Sequence, residues 1–384
     1  MKSISGSPRL LGAVGLCAGA VALGAYTGLS SGATPRSAKP ATSARSAFPT
    51  AASANAKFEQ RPTSIGITTP VGKPIPKGKV IDFIQCGVPA CAVEGDILQS
   101  AASLLGWRLK RVNAGTSSQT IADAYQQAVS DKPAAVIGSG YPKVLFAQPL
   151  KSLAAEHVPV LEAFVADNTG GGLTGVVAGN VTNNIQGKEV ADYILANSTS
   201  KSETIGVVVP PAFPNMVVEQ SAALAAFKQY CSTCKTEILA PPVTSIGADL
   251  PTRISSFLQA NPSIQWLWDG YDDMVTGLPT ALKGASITNT KVVTISMNGT
   301  VAADIQQHSY VLSGVGTSFP EVYWREIDLL ARLFTHQSYA VDLNDSTLPY
   351  WTITSANLPS NAGATLFANV VNYKKEFEKL WGVS

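Results

Sequence analysis

Charge is scarce in this sequence. Asp, Glu, Lys and Arg supply 14% of its 384 residues, and 28 basic against 26 acidic groups leave a net charge of +2. Such a balance gives no basic field for nucleic acid and no strong steering of an acidic ligand. Histidine is scarcer still: His157, His308 and His336 stand far apart, without carboxylates at metal-ligand spacing. No Gly-x-x-x-x-Gly-Lys-Ser/Thr phosphate loop occurs, and no Gly-x-Gly-x-x-Gly immediately follows a strand. Ile137-Gly-Ser-Gly140 lacks the spacing of a nucleophile elbow. Asp272 and Asp273 are adjacent acids at a helix start, where capping and the helix dipole account for them. Nothing selects Asp269 and Asp272 as an acid–base pair over solvated surface. These absences argue against an enzyme, and no cofactor or metal is implied.

What is present is apolar: 45% of the residues, enough for a sizeable core, in a chain long enough for two lobes. The N-terminus is built differently. Lys2 and Arg9 precede an apolar run from Leu10 to Leu29 that ends in Ser31-Gly32-Ala33, the order of a secretory signal. Three fates stay open for residues 1–33: cleavage after Ala33, retention as a membrane anchor, and lipidation at Cys17, where Leu16 occupies the place of the usual small residue. The other cysteines form two close pairs, Cys86/Cys91 and Cys231/Cys234. In an exported chain an even number points to disulfides. A redox pair at Cys231-Ser-Thr-Cys234 would need a helix N-terminus to stabilise its thiolate, whereas this pair follows the helical stretch 218–230.

Residues 34–58 are rich in Ala, Ser, Thr and Pro without apolar periodicity, and residues 62–79 continue with Pro70, Pro74 and Pro76. Together 34–78 read as a low-complexity tether. From Val80 short apolar runs (80–85, 107–112, 134–138, 158–164) alternate with stretches of helical spacing, and the rhythm recurs with strands at 205–209, 236–239, 264–268 and 292–296. Repeated strand–helix units predict α/β architecture: two doubly wound parallel sheets, each covered on both faces. Such sheets bind ligands beyond the carboxyl ends of their strands, so the residues just after each strand are the candidates.

Those blocks carry a likeness. Leu98-Gln-Ser-Ala-Ala-Ser-Leu-Leu-Gly-Trp107, Asn183-Asn-Ile-Gln-Gly-Lys-Glu-Val-Ala191, Asp272-Asp-Met-Val-Thr-Gly277 and Val292-Val-Thr-Ile-Ser-Met-Asn-Gly-Thr300 resemble, in order and spacing, motifs of the ribose-type solute-binding proteins of ABC importers. The resemblance implies a type I periplasmic-binding-protein-like fold whose two lobes are joined by a three-segment hinge near Asn183, Ser318 and residues 341–350. It places the first lobe at 79–183 plus about 319–340, and the second at 184–318 plus about 341–384.

Carried over residue by residue, the family's sugar-binding groups are mostly replaced. Its Asn-Pro-Phe-Phe loop reads Val88-Pro89-Ala90-Cys91. Its Asp-Arg after the fourth strand reads Phe164-Val165. Its arginine falls near Ser221 or Ala223, its Asn before Asp-x-Met is Tyr271, the Asp of its Gly-Phe-Asp-Gly is Asn298, and a late Gln falls at Thr317 or Ser318. Gln85 ends the first strand, and Phe213 lies in the Pro-rich loop 210–214. The candidate ligand-binding set is therefore Gln85, Val88, Ala90, Phe164, Val165, Phe213, Tyr271, Asn298 and Ser318. For Phe164 and Phe213 the competing reading is core packing; for Asn298 it is a turn residue before Gly299. An apolar wall leaves a sugar's hydroxyls unpaired at about 1–3 kcal/mol each, so the expected ligand is small, neutral and less polar. The expected role is that of an exported, monomeric binding component whose partners are that ligand and an ABC permease. The alternative is a binding protein that signals to a membrane receptor or kinase.

Overall fold

A computed structural model describes residues 46–87, 89–360, 362 and 368–383. The expected signal, Cys17, the start of the tether and Val88 lie outside the described residues, as does the side chain of Ala90.

The first sheet holds β1 (Val80–Cys86), β2 (Arg108–Gly115), β3 (Ala135–Ser139), β4 (Val160–Ala163) and β5 (Gly175–Val177), all parallel, in the order β2-β1-β3-β4-β5. The second holds β6 (Thr204–Val208), β7 (Lys235–Leu239), β8 (Trp266–Tyr271), β9 (Lys291–Ile295) and β10 (Val311–Val315) in the equivalent order, with the short antiparallel β11 (Ile353–Thr354) on the β10 edge. Alternation along the strands decides which layer each side chain enters. Ile81 and Phe83 of β1, with Ala135 and Ile137 of β3, face one apolar cluster, while Ile84 and Val136 face another. Both faces are thus buried, which is why these strands read as continuous apolar runs.

The helices are α1 (Pro49–Phe58), α2 (Pro89–Leu104), α3 (Ser118–Asp131), α4 (Ala147–Ala155), α5 (Asn180–Ala196), α6 (Pro214–Tyr230), α7 (Leu250–Ala260), α8 (Leu278–Gly284), α9 (Gly299–Gln306), α10 (Phe319–Phe334) and α11 (Tyr373–Trp381). None of the described helices is long and apolar enough to cross a membrane. His157, His308 and His336 each sit two residues beyond a helix end (α4, α9 and α10) with φ of 59°, 51° and 56°. They are left-handed residues that stop helices.

The tether expectation is corrected. Residues 49–58 are helical, and Phe48 and Ala51 belong to the second lobe's core. Small residues let this helix lie close against its neighbour, so it buries little apolar area per residue and shows no strong periodicity. Ile65, Ile67 and Val71 belong to the first lobe's core. They run along α10, whose buried guanidinium groups hold the passing backbone: Arg325 donates to Ile65 O at 2.7 Å and Arg332 to Thr69 O at 2.6 Å. Arg332 is also paired with Asp328 and Asp342, at 2.8 and 3.2 Å.

The expected lobe boundaries are corrected as well. Phe377, Leu380 and Trp381 of α11, expected in the second lobe, pack in the first, and Trp381 Nε1 donates to Asp328 at 2.7 Å. The chain passes between the two cores in the three expected places, between Ala178 and Val190, between Val315 and Val322, and at Tyr350–Trp351. It also crosses between Ala51 and Ile65 and between Ala362 and Val370.

A chain beginning at Lys79 should therefore melt at least about 5 °C lower than the longer one. It uncovers apolar surface and strips carbonyl partners from two buried guanidinium groups, together worth more than about 3 kcal/mol. Unchanged thermal melting would restore the tether reading.

Candidate functional site

The carboxyl ends of both sheets converge on one cavity, with an empty volume of about 740 Å³ counting its open mouth. The first lobe contributes Cys86, Cys91, Glu94, Ser139 and Phe164; the second contributes Phe213, Glu219, Tyr271 and Ser296. Gln186, Thr317 and Phe319 line it from the crossing segments.

Phe164 and Ser296 occupy equivalent places, each the first residue after the fourth strand of its lobe, and each has a left-handed backbone, φ 54° and 66°. Non-glycine residues adopt that conformation at a cost, and such strain concentrates at functional sites. Each lobe presents an aromatic pair. Phe164 meets Phe319 edge-on at 4.7 Å between ring centres, and Phe213 meets Tyr271 edge-on at 6.4 Å. Both phenylalanines named from the sequence thus line the cavity while also packing against the cores.

Two carboxyls enter from helices rather than loops. Glu94, on α2, is 3% exposed beside the Tyr323 and Ser139 hydroxyls, and its Oε2 has no hydrogen-bond partner among the described residues. Burial, reinforced by the charge of Asp273, pushes its pKa up to about 7. Glu219, on α6, is 3% exposed and accepts from Gln186 Nε2 at 3.2 Å; burial pushes it up to about 8. Gln186 Oε1 in turn accepts from Thr317 N at 3.2 Å, so one amide links α5, α6 and the segment before α10. Glycine makes this possible: a Cβ at Gly187 would run into the Glu219 carbonyl, and one at Gly316 into Gln186 Oε1.

The remaining sequence candidates lie elsewhere. Gln85 is half-buried at the end of β1 and is not among the lining residues. Val165 points into the first lobe's core, and only its carbonyl is used, by Asn183 Nδ2 at 3.2 Å. Asn298 caps α9, its Oδ1 accepting from Val301 N at 3.0 Å while Nδ2 donates to Asp273 at 3.3 Å; the turn reading holds there. Ser318 donates to Glu321 at the start of α10. Asp269 is fully buried on β8 outside the cavity, neither oxygen partnered among the described residues, and burial alone raises its pKa to about 8.

The structure closes both cysteine pairs as disulfides, with Cα–Cα distances of 5.5 Å for Cys86–Cys91 and 5.3 Å for Cys231–Cys234. The first shapes the cavity wall. Its sulfurs lie with the Glu94 carboxylate in a cluster of metal-binding size, but bonded to each other they are not thiolate ligands. The second ends α6, at the C-terminal side where no dipole favours a thiolate.

No family model matches the sequence, and no curated protein is similar to it at a significant level. Solved structures do match. An ABC sugar transporter subunit from Rhodobacter sphaeroides superposes with a TM-score of 0.63 at 16% identity, over 73% of this chain and 99% of its own. An ABC transporter solute binding protein from Agrobacterium vitis, with bound allitol, gives 0.63 at 18% identity, over 73% and 97%. The chain has the fold of the type I periplasmic solute-binding proteins. A 5-methylthioribose transporter solute binding protein from Thermotoga lettingae, in complex with 5-methylthioribose, has the same fold, with a TM-score of 0.61 at 16% identity over 82% of this chain and 95% of its own. In this binding-protein fold the sequence-read strand ends reach the cavity at Phe164, Phe213 and Tyr271. Glu94, Glu219, Gln186 and Phe319 were missed because they lie inside or at the start of helices, where no strand-end rule points. The one signal available was their placement in the first two turns of helices that follow strands.

The buried acids set a pH dependence. An acid whose folded pKa is raised contributes most below its unfolded pKa, and that contribution is lost as pH rises through the folded value. Glu94, Glu219 and Asp269, raised to about 7, 8 and 8, should lower the melting temperature of the ligand-free protein between about pH 5 and pH 8. Asp269→Asn should flatten that slope. A melting temperature that climbs over the interval would contradict the burial of these groups.

Proposed function

We propose that the protein is the extracytoplasmic solute-binding component of an ABC importer, holding a small, partly apolar molecule between its lobes. The observation that carries this is the placement of the cavity: it lies where the carboxyl ends of both sheets meet, the ligand position of open parallel sheets, and each lobe brings an aromatic pair to it. An N-terminal export signal, two disulfides and a binding-protein fold fit a role outside the cytoplasm, with a permease as partner. The residues in place of the family's sugar-gripping Asp-Arg are Phe164 and Val165, one an aromatic wall and the other core. They favour a ligand with fewer hydroxyls than a pentose or hexose. Closure would turn on the crossings near Asn183, Ser318 and residue 350.

A thermal-shift screen over sugars, polyols and aromatic compounds tests this, since a ligand at a hundred times its dissociation constant adds about 2.7 kcal/mol. The compound giving the largest shift should also lower the radius of gyration in small-angle scattering, and Phe164→Asp should abolish its effect. Ribose or xylose giving the largest shift would contradict the apolar ligand. A binder that leaves the radius unchanged would contradict capture by lobe closure.

A further inference from the structure

We infer that the captured molecule carries a positive charge, an ammonium centre seated against Glu94 and Glu219 within the wall of Phe164, Phe213, Tyr271 and Phe319. This rests on the solute-binding reading and names the ligand class that the same cavity would take.

The cavity holds two carboxyls, and no Lys, Arg or His is among the described residues that line it. One carboxyl comes from each lobe, Glu94 on α2 and Glu219 on α6. Glu94 Oε2 is buried without a hydrogen-bond partner among the described residues. Further acids stand on the second lobe's side. Asp273 raises the pKa of Glu94 after burial does, and Glu94 in turn acts on Asp272 and Tyr271. Acidic groups of the two lobes therefore act on one another across the cavity. A buried carboxylate without a countercharge is costly, and like charges brought together add to the cost.

A neutral ligand offering hydroxyls brings the carboxyls no countercharge and so leaves them to keep their protons, and an anion would raise their pKa further. A cation supplies the missing countercharge to both lobes at once. Two aromatic pairs suit it further, because ring faces attract an alkylammonium through their quadrupole. The strand-end residues from which a neutral ligand was expected say nothing of charge, since both carboxyls come from helices.

Matched pairs that differ only in charge test the inference. Choline and its neutral isostere 3,3-dimethyl-1-butanol, then benzyltrimethylammonium and neopentylbenzene, are titrated calorimetrically at low salt, with ribose alongside. The ammonium member of a pair should bind about tenfold tighter or more, and Glu94→Gln and Glu219→Gln should each bring the ratio towards one. The wild-type comparison decides the matter even if a variant folds poorly. Equal or tighter binding of the neutral member, or no ammonium binding at millimolar concentration, overturns the inference. Binding by ribose or a neutral isostere alone removes the charge and leaves the solute-binding reading intact; failure of every compound in this panel and in the sugar and aromatic screen would remove both.

Discussion

An ionised carboxyl taken out of water needs a partner, and this protein places several where partners are few. Glu94 and Glu219 stand in the cavity wall, and Asp269 is buried on β8, outside it, with neither oxygen partnered among the described residues. Everything around the cavity follows from how that burial is tolerated. Proton retention tolerates it in the empty protein, with pKa values held at about 7 for Glu94 and about 8 for Glu219 and Asp269. A countercharge would tolerate it in the filled one. The aromatic pairs make the walls of the same space apolar and so raise the cost of leaving a carboxylate alone there.

The scaffold holds these groups by polar ties that cross the fold. Gln186 joins α5 to Glu219 and to Thr317, and glycine at 187 and 316 allows the approach. In the first lobe, α10 is buried all round because the segment before β1 and the C-terminal helix both lie against it. Glu321 accepts from the backbone of Asn369 and Val370, at 2.9 and 2.8 Å, as Arg325 and Arg332 hold residues 65 and 69. A helix that is both floor and anchor places Phe319 and Tyr323 beside Phe164 without relying on the loops.

The parallel strands were legible because burial on both faces writes a continuous apolar run: the reading 80–85 became β1 (80–86), and 292–296 became β9 (291–295). Helix starts were read late, as at α6, which begins at Pro214 rather than at residue 218, since first turns near a ligand site carry little periodicity. α1 was invisible for a different reason. An Ala- and Ser-rich helix has the composition of a linker, and only its neighbours make it fold. The assignment of α11 to the second lobe failed because an amphipathic helix does not say which core it covers. At the site, Phe164 was legible from its place after a strand, whereas Glu94 looks like any solvated helix glutamate until the fold closes over it.

The most direct test is a carbon-13 NMR titration of the Glu94 and Glu219 carboxyls in ligand-free protein, assigned through Glu94→Gln and Glu219→Gln. Their burial predicts titration near 7 and near 8, far above the ordinary glutamate value of about 4.3. Two carboxyls titrating at that ordinary value would show them solvated, with no countercharge wanting, and would contradict it.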